Sequence, residues 1–185
     1  MDYMALDLIL LSVLRAGPTH GYELKRRVQR PTFARLSNNS LYPHLRRFEE
    51  LGAVTSSVEE QDGKPARRIY AITDAGRRLF TDLVSTLPRE LAGSDEEFLA
   101  RLSFFGEIDA PARKAILAAR AEVLSERVAQ VQTLKDESAS MPEWRAIAVD
   151  HLLDQLRGEL DWIAGLALNL DTTNAAKESH VPDSR

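Results

Sequence analysis

Asn38-Asn39-Ser40-Leu41-Tyr42-Pro43-His44-Leu45-Arg46-Arg47-Phe48-Glu49-Glu50-Leu51-Gly52 is the stretch on which the fold turns. Leu41, Leu45 and Phe48 recur at helical spacing with Leu51 beside them, which predicts a helix from about Ser40 to Leu51. Asn38, Asn39 and Ser40 each offer a capping oxygen. Pro43 is tolerated in a first turn, where its missing N–H breaks no ladder bond, and Gly52 can take the left-handed conformation that ends a helix. Projected at about 100° per residue, Leu41, Leu45, Phe48 and less centrally Leu51 point inward. Asn39, Pro43, Arg46 and Glu50 lie roughly opposite, flanked by Ser40 and Arg47. His44 turns toward the buried flank, and Tyr42 fits a core edge as well as a phosphate donor. Asn suits adenine and Arg suits guanine, so the outward face fits a recognition helix whose N-terminal half enters the major groove. Ser40 and the first amides of the helix can take phosphate.

The flanking segments extend this plan. Leu6–Leu14 is almost continuously apolar and reads as a helix buried on most sides, ended by Gly17-Pro18. Thr19 is placed to cap a short second helix running through Val28, and Pro31 closes it. After Gly52 the period changes to two. Val54–Glu60 and Ala66–Ile72 read as strands joined by a turn at Gln61-Asp62-Gly63-Lys64-Pro65, and Thr73 caps a further helix, Asp74–Leu87. Three helices, a hairpin and a helix make a winged helix-turn-helix. Lys64, Arg67 and Arg68 cluster at the hairpin and are the expected contacts of the wing with the DNA backbone or minor groove. Standing alone, the same hairpin would read as a solvated basic turn. Lys25, Arg26, Arg27, Arg77 and Arg78 are weaker candidates.

Beyond Pro88 the pattern is helical: Asp95–Phe105, Ala110–Glu137 and Trp144–Leu170. In the last of these, Val149, Leu153, Leu156, Leu160, Ile163, Ala167 and Leu170 repeat in steps of four and three, the spacing of a coiled-coil seam. Val149, Leu153, Leu156, Leu160 and Ile163 are therefore the expected dimer interface. A helical hairpin within one chain would give the same periodicity. From Asp171 no apolar period remains, and 171–185 is expected to be a disordered tail. The expected fold is mainly α with a small β-hairpin. It comprises a winged helix-turn-helix domain at 1–87 and a coiled-coil-like dimerisation domain at 88–170, with room for an effector. Phe104, Phe105, Trp144 and Trp162, with His151 or Arg145 as a polar anchor, are the candidates for a pocket taking a small aromatic effector. Packing within core and interface accounts for the same aromatic residues.

The net charge of −4 divides unevenly, with +3 over residues 1–85 and −7 over the rest. A basic half facing nucleic acid, joined to an acidic half with another task, fits that asymmetry. The absence of cysteine removes disulfides and thiolate metal sites, and fits a reducing compartment. No apolar run is long enough to span a membrane, and Leu6–Leu14 has no basic segment before it, so a cytoplasmic protein is expected. His20, His44, His151 and His180 include no i, i+4 pair, and no phosphate-cradling glycine loop is present. Enzymatic activity, a metal and a cofactor are accordingly not expected. A winged domain that binds protein instead of DNA is the alternative, and the basic wing with Arg46 and Arg47 weighs against it.

Four motifs in order resemble the PadR-like transcription regulators: His20-Gly21-Tyr22-Glu23-Leu24, Ser40-Leu41-Tyr42-Pro43-His44-Leu45, Leu51-Gly52-Ala53-Val54 and Arg68-Ile69-Tyr70-Ala71-Ile72-Thr73-Asp74-Ala75-Gly76. Leu102-Ser103-Phe104-Phe105-Gly106 and Glu159-Leu160-Asp161-Trp162 more loosely resemble the helical C-terminal domain of the subgroup that includes virulence-gene activators. The resemblance implies a homodimer on a double-stranded operator of two inverted half-sites, held together by C-terminal helices. In some members an aromatic small molecule near the interface alters DNA affinity. Repression, which needs only occupancy, is favoured over activation. Asn38-Asn39-Ser40 departs from the Ser/Pro/Gly-rich approach of many relatives, so the operator sequence does not carry over.

Overall fold

The computed structural model describes residues 5–28, 41–61, 64–137 and 141–178; for 61, 64–66 and 171–178 it describes the backbone alone. Helix α1 (Ala5–Arg15) leads through β1 (Thr19–His20) into α2 (Gly21–Val28) and α3 (Leu41–Glu50). Strands β2 (Val54–Gln61) and β3 (Lys64–Ile72) follow, then α4 (Asp74–Ser85), α5 (Asp95–Leu102), a 3-10 turn (Phe105–Glu107), α6 (Ala110–Glu137) and α7 (Glu143–Glu178). Two compact units result. The first takes in the chain to Thr86 together with Ser94–Ile108, and the second Leu87–Gly93 with everything from Asp109. Among the described residues no helix is long and apolar enough to cross a membrane.

In the first unit α1 is the hub. Its leucines 8, 10, 11 and 14 are all buried, and it touches α2, α4, α5 and β3. Leu41, Leu45 and Phe48 of α3 are buried as their spacing predicts, whereas Leu51 is 41% exposed. It lies beyond the last helical turn, where Gly52 (φ +66°) reverses the chain. The wing belongs to a three-stranded antiparallel sheet ordered β1-β3-β2 rather than to a lone hairpin. Thr19, expected as a helix cap, instead pairs with Tyr70 across β1 and β3, and α2 starts two residues later. The β2–β3 ladder sets Val54 opposite Ile72, Ser56 opposite Tyr70, Val58 opposite Arg68 and Glu59 opposite Arg67, with an irregularity between Glu59 and Gln61. Ser94–Ile108, placed with 88–170 by the sequence pattern, packs in this first unit. Phe98 and Ala100 are buried, and the Phe104 ring meets Phe80 edge-on at 5.2 Å and 86°.

The second unit is an antiparallel hairpin of α6 and α7, with Ile116, Leu117 and Leu124 buried together with Leu153, Leu156 and Ile163. Arg120 is only 1% exposed. It pairs with Glu159 of α7 (2.8 Å from Nε, 2.7 Å from Nη2) and donates to the Ala92 carbonyl at 2.9 Å, so one guanidinium ties three segments. Helix α7 is 36 residues long, about 54 Å, and continues through 171–178, where a tail without structure was expected. Extending an existing helix costs no nucleation, so an apolar face is not needed there. Residues 179–185 lie outside the described residues.

One hydroxyl joins α3, the sheet and α4. Thr73 Oγ1 caps α4 by accepting from the Gly76 amide (3.1 Å) and donates to the Gly52 carbonyl (2.6 Å). Gly76 is required here, because a Cβ would overlap the Ala53 carbonyl and crowd Ile72 Cγ1. Thr73→Ala is expected to lower unfolding stability by about 1–2 kcal/mol, while Thr73→Ser keeps the cap and most of that stability. Chemical denaturation of the three proteins checks this.

Candidate nucleic-acid interface

The face of α3 opposite its buried stripe carries Tyr42, Pro43, Arg46 and Glu50, all exposed. Arg46 is 82% exposed at its side chain, and its Nε donates to Glu50 at 3.0 Å. An exposed i, i+4 pair of this kind contributes well under 1 kcal/mol, so Arg46 exchanges Glu50 for another acceptor at little cost. Glu50 thereby holds Arg46 extended along the helix surface.

Arg47, expected beside Arg46 among the DNA contacts, borders the same surface and also reaches the core. Its Nη2 lies 2.5 Å from the Asp7 carboxylate, which also accepts from His44 Nδ1 at 2.5 Å. Asp7 is fully buried, at 0% exposure. A buried carboxylate is tolerable only where other groups replace its lost water, and here the His44 hydrogen bond and the Arg47 charge do so. The angle of Arg47 on the helix wheel is compatible with either outcome. The carboxylate that decides it sits on α1, forty positions back in the sequence.

The opposite flank of α3 is fixed to the sheet, where Ser56 Oγ donates to the Glu49 carboxylate. On this side Tyr42 enters a cleft of about 480 Å³ that it shares with His20, Gly21, Tyr22 and Glu23 at the start of α2 and with Arg67, Arg68 and Tyr70 of β3. Burial pushes the Tyr70 phenol up from its ordinary range, and a hydrogen bond from Arg68 partly offsets this. Gly21 lets the Tyr70 ring approach, since a Cβ would stand 3.3 Å from its Cε2. Tyr22 and Tyr70 carry no role in a helix-wheel projection. Their signal lay in the His20-Gly21-Tyr22 motif, which becomes part of a site only when β3 is folded against α2.

Arg67 and Arg68 are exposed, and both line this cleft. Lys64 begins β3, but its side chain lies outside the described residues, as do Asn39 and Ser40 altogether. The basic cluster of α2 is partly neutralised. Hydrogen bonds from Arg27 and then Arg26 hold the Glu23 carboxyl below its usual range, and the nearest contacts are 3.0 and 2.9 Å.

The expected effector residues on α7 do not gather. Phe104 packs on Phe80 in the first unit, with Phe105 next to it in the 3-10 turn. Trp144, His151 and Trp162 are exposed on α7, and the two tryptophans stand about five turns, about 27 Å, apart. No single small aromatic spans that distance. The expected dimer seam is also engaged already: Leu153, Leu156 and Ile163 are buried within the chain's own hairpin, with Val149 and Leu160 half-buried beside them.

Residues 10–82, from α1 through most of α4, match the transcriptional regulator PadR-like family. Transcriptional regulator Rv3488 of Mycobacterium tuberculosis is 35% identical over 92 residues, which are 48% of this chain and 84% of that protein. A second protein of that organism, probable transcriptional regulator Rv1176c, is 36% identical over 76 residues, 40% of each chain, so less than half of its length is spanned. The crystal structure of Bacillus subtilis PadR in complex with operator DNA aligns over 89% of this chain and 98% of its own, at a TM-score of 0.43 and 17% identity. Motif order, the buried stripe of α3, the family match and the Rv3488 relative agree: the chain belongs to the PadR-like family of transcriptional regulators.

Proposed function

We propose that the protein is a homodimeric repressor that binds an inverted-repeat operator, reading bases with the outward face of α3 and gripping phosphate with the wing. One observation carries this reading. Tyr42 belongs both to the surface of α3 that bears Arg46 and to the cleft that reaches Arg67 and Arg68, so base-reading and phosphate-binding groups share one continuous surface. The N-terminus of α2 opens on the same cleft and adds amide donors suited to a phosphate oxygen. The basic balance of the first 85 residues favours the same partner.

Dimerisation supplies the second half-site. Because the seam of α7 is covered by α6, the surface offered to a second subunit is the opposite side of the hairpin. Trp144 and Trp162 fall in phase on α7 and are 79% and 45% exposed, with Ile147 also exposed on that side. A dimer that presents two α3 helices about 34–36 Å apart, one turn of the duplex, turns the second contact into an intramolecular event.

Four variants test this reading, with the duplex that the wild-type protein selects from a random pool as the ligand. Arg46→Ala should weaken binding by about 1–3 kcal/mol and relax preference at one base pair, with unfolding stability unchanged. Unaltered affinity in a folded variant would place base reading on another face. Arg67→Ala should weaken selected and scrambled duplexes alike and reduce the slope of log affinity against log salt by about one unit. Loss of a single base preference instead would make the wing a base reader. Trp162→Asp should leave helical content intact, shift sedimentation toward monomer and reduce affinity about a hundredfold. Leu156→Asp should instead unfold the hairpin. A Trp162→Asp protein that remains a tight dimer would put the interface elsewhere.

A further inference from the structure

We infer that α1 is a rigid strut setting the orientation of the DNA-reading helix from α5, and that Asp7 and Glu97 are positioning residues for DNA binding. The inference rests on the reading of α3 given above.

The observations form a chain of buried polar contacts within the first unit. Arg101 of α5 donates from Nε to the Thr86 carbonyl at 2.6 Å, and its Nη1 lies 2.7 Å from Glu97 Oε2. Glu97 and Arg101 are both buried. The other oxygen of Glu97 accepts the Ala5 amide at 2.5 Å, at the start of α1, where helix amides lack partners within the helix. Two positions along the same helix, Asp7 holds His44 and Arg47 of α3. Those two are i and i+3 on α3 and share one flank. A carboxylate hydrogen-bonded to His44 and ion-paired with Arg47 on one flank, with Glu49 and Ser56 bonded on the other, fixes the rotation of α3 about its axis. That rotation decides whether Arg46, Pro43 and Tyr42 face outward.

Apolar side chains would pack α1 against α3 and α5 at least as stably as these ion pairs. What ion pairs add is direction. Two such anchors on one helix, two residues apart, leave little slack between them. Ser94–Ile108, which carries Glu97 and Arg101, packs in the first unit, but in the chain it is preceded by Leu87–Gly93 and followed by Asp109 onward, both parts of the second.

The test uses the full-length protein with Asp7→Asn, Glu97→Gln and the double variant, and Arg101→Lys as a charge-preserving substitute if Glu97→Gln does not fold. Affinities for the selected duplex and for a scrambled duplex of equal length are measured below the unfolding temperature, with amide hydrogen exchange across α3. Glu97→Gln, although remote from the DNA-facing groups, should reduce selected-duplex affinity about tenfold and scrambled-duplex affinity by less than about twofold. Exchange within Leu45–Glu50 should accelerate in both single variants, and the double variant should lose no more specificity than the worse single one. Unchanged specificity and exchange in folded Glu97→Gln or Arg101→Lys would overturn the inference, as would equal loss on both duplexes or additive losses. If the wild-type chain prefers no duplex, the DNA reading fails by itself, and the exchange data alone decide whether α5 controls α3.

Discussion

The rotation of α3 about its own axis is the constraint on which the rest of the first unit depends. Leu41, Leu45 and Phe48 anchor one side of a ten-residue helix, but an apolar stripe alone allows it to roll. Two polar contacts remove that freedom, the Asp7 carboxylate on the flank of His44 and Arg47 and the Ser56 hydroxyl on the flank of Glu49. With both flanks held, Arg46 and Pro43 point away from the core, and Tyr42 lines the cleft toward the wing. The desolvation of Asp7 is a stability cost accepted for orientation, and the His44 hydrogen bond and the Arg47 charge offset it locally.

The elements that were legible in the sequence are those whose partners do not matter to their pattern. The stripe of α3, the stop at Gly52, the period-two strands and the Thr73 cap follow from local spacing and local hydrogen bonds. What was not legible depends on distant contacts. A two-residue strand has no periodicity, so β1 exists only because Tyr70 and Ile69 lie alongside Thr19 and His20. Arg47 resembles Arg46 on a helix wheel, and only a buried carboxylate on α1 separates a strut from a surface arginine. Ser94–Ile108 is amphipathic whichever unit covers it; Phe80 and the amide of Ala5 decided the matter.

The second unit shows the same ambiguity at the level of whole helices. A seam repeating in fours and threes states that a partner helix exists, without stating which chain supplies it. In this protein α6 supplies it, and the Arg120–Glu159–Ala92 junction locks the register of the hairpin. The consequence for function is a change of face. With Leu153 and Leu156 covered by α6, the interface proposed for a second subunit is the side of α7 that bears Trp144 and Trp162, both exposed, while Phe104 is packed on Phe80.

The central claim is that the outward face of α3 lies in the major groove, twice per dimer. Protection of guanine N7 from methylation on the selected duplex tests it most directly, because N7 is exposed only in that groove. Two protected clusters with centres about one helical turn apart are expected, each losing a guanine signal when Arg46 is replaced. Full methylation of every guanine beneath the bound protein would contradict the claim.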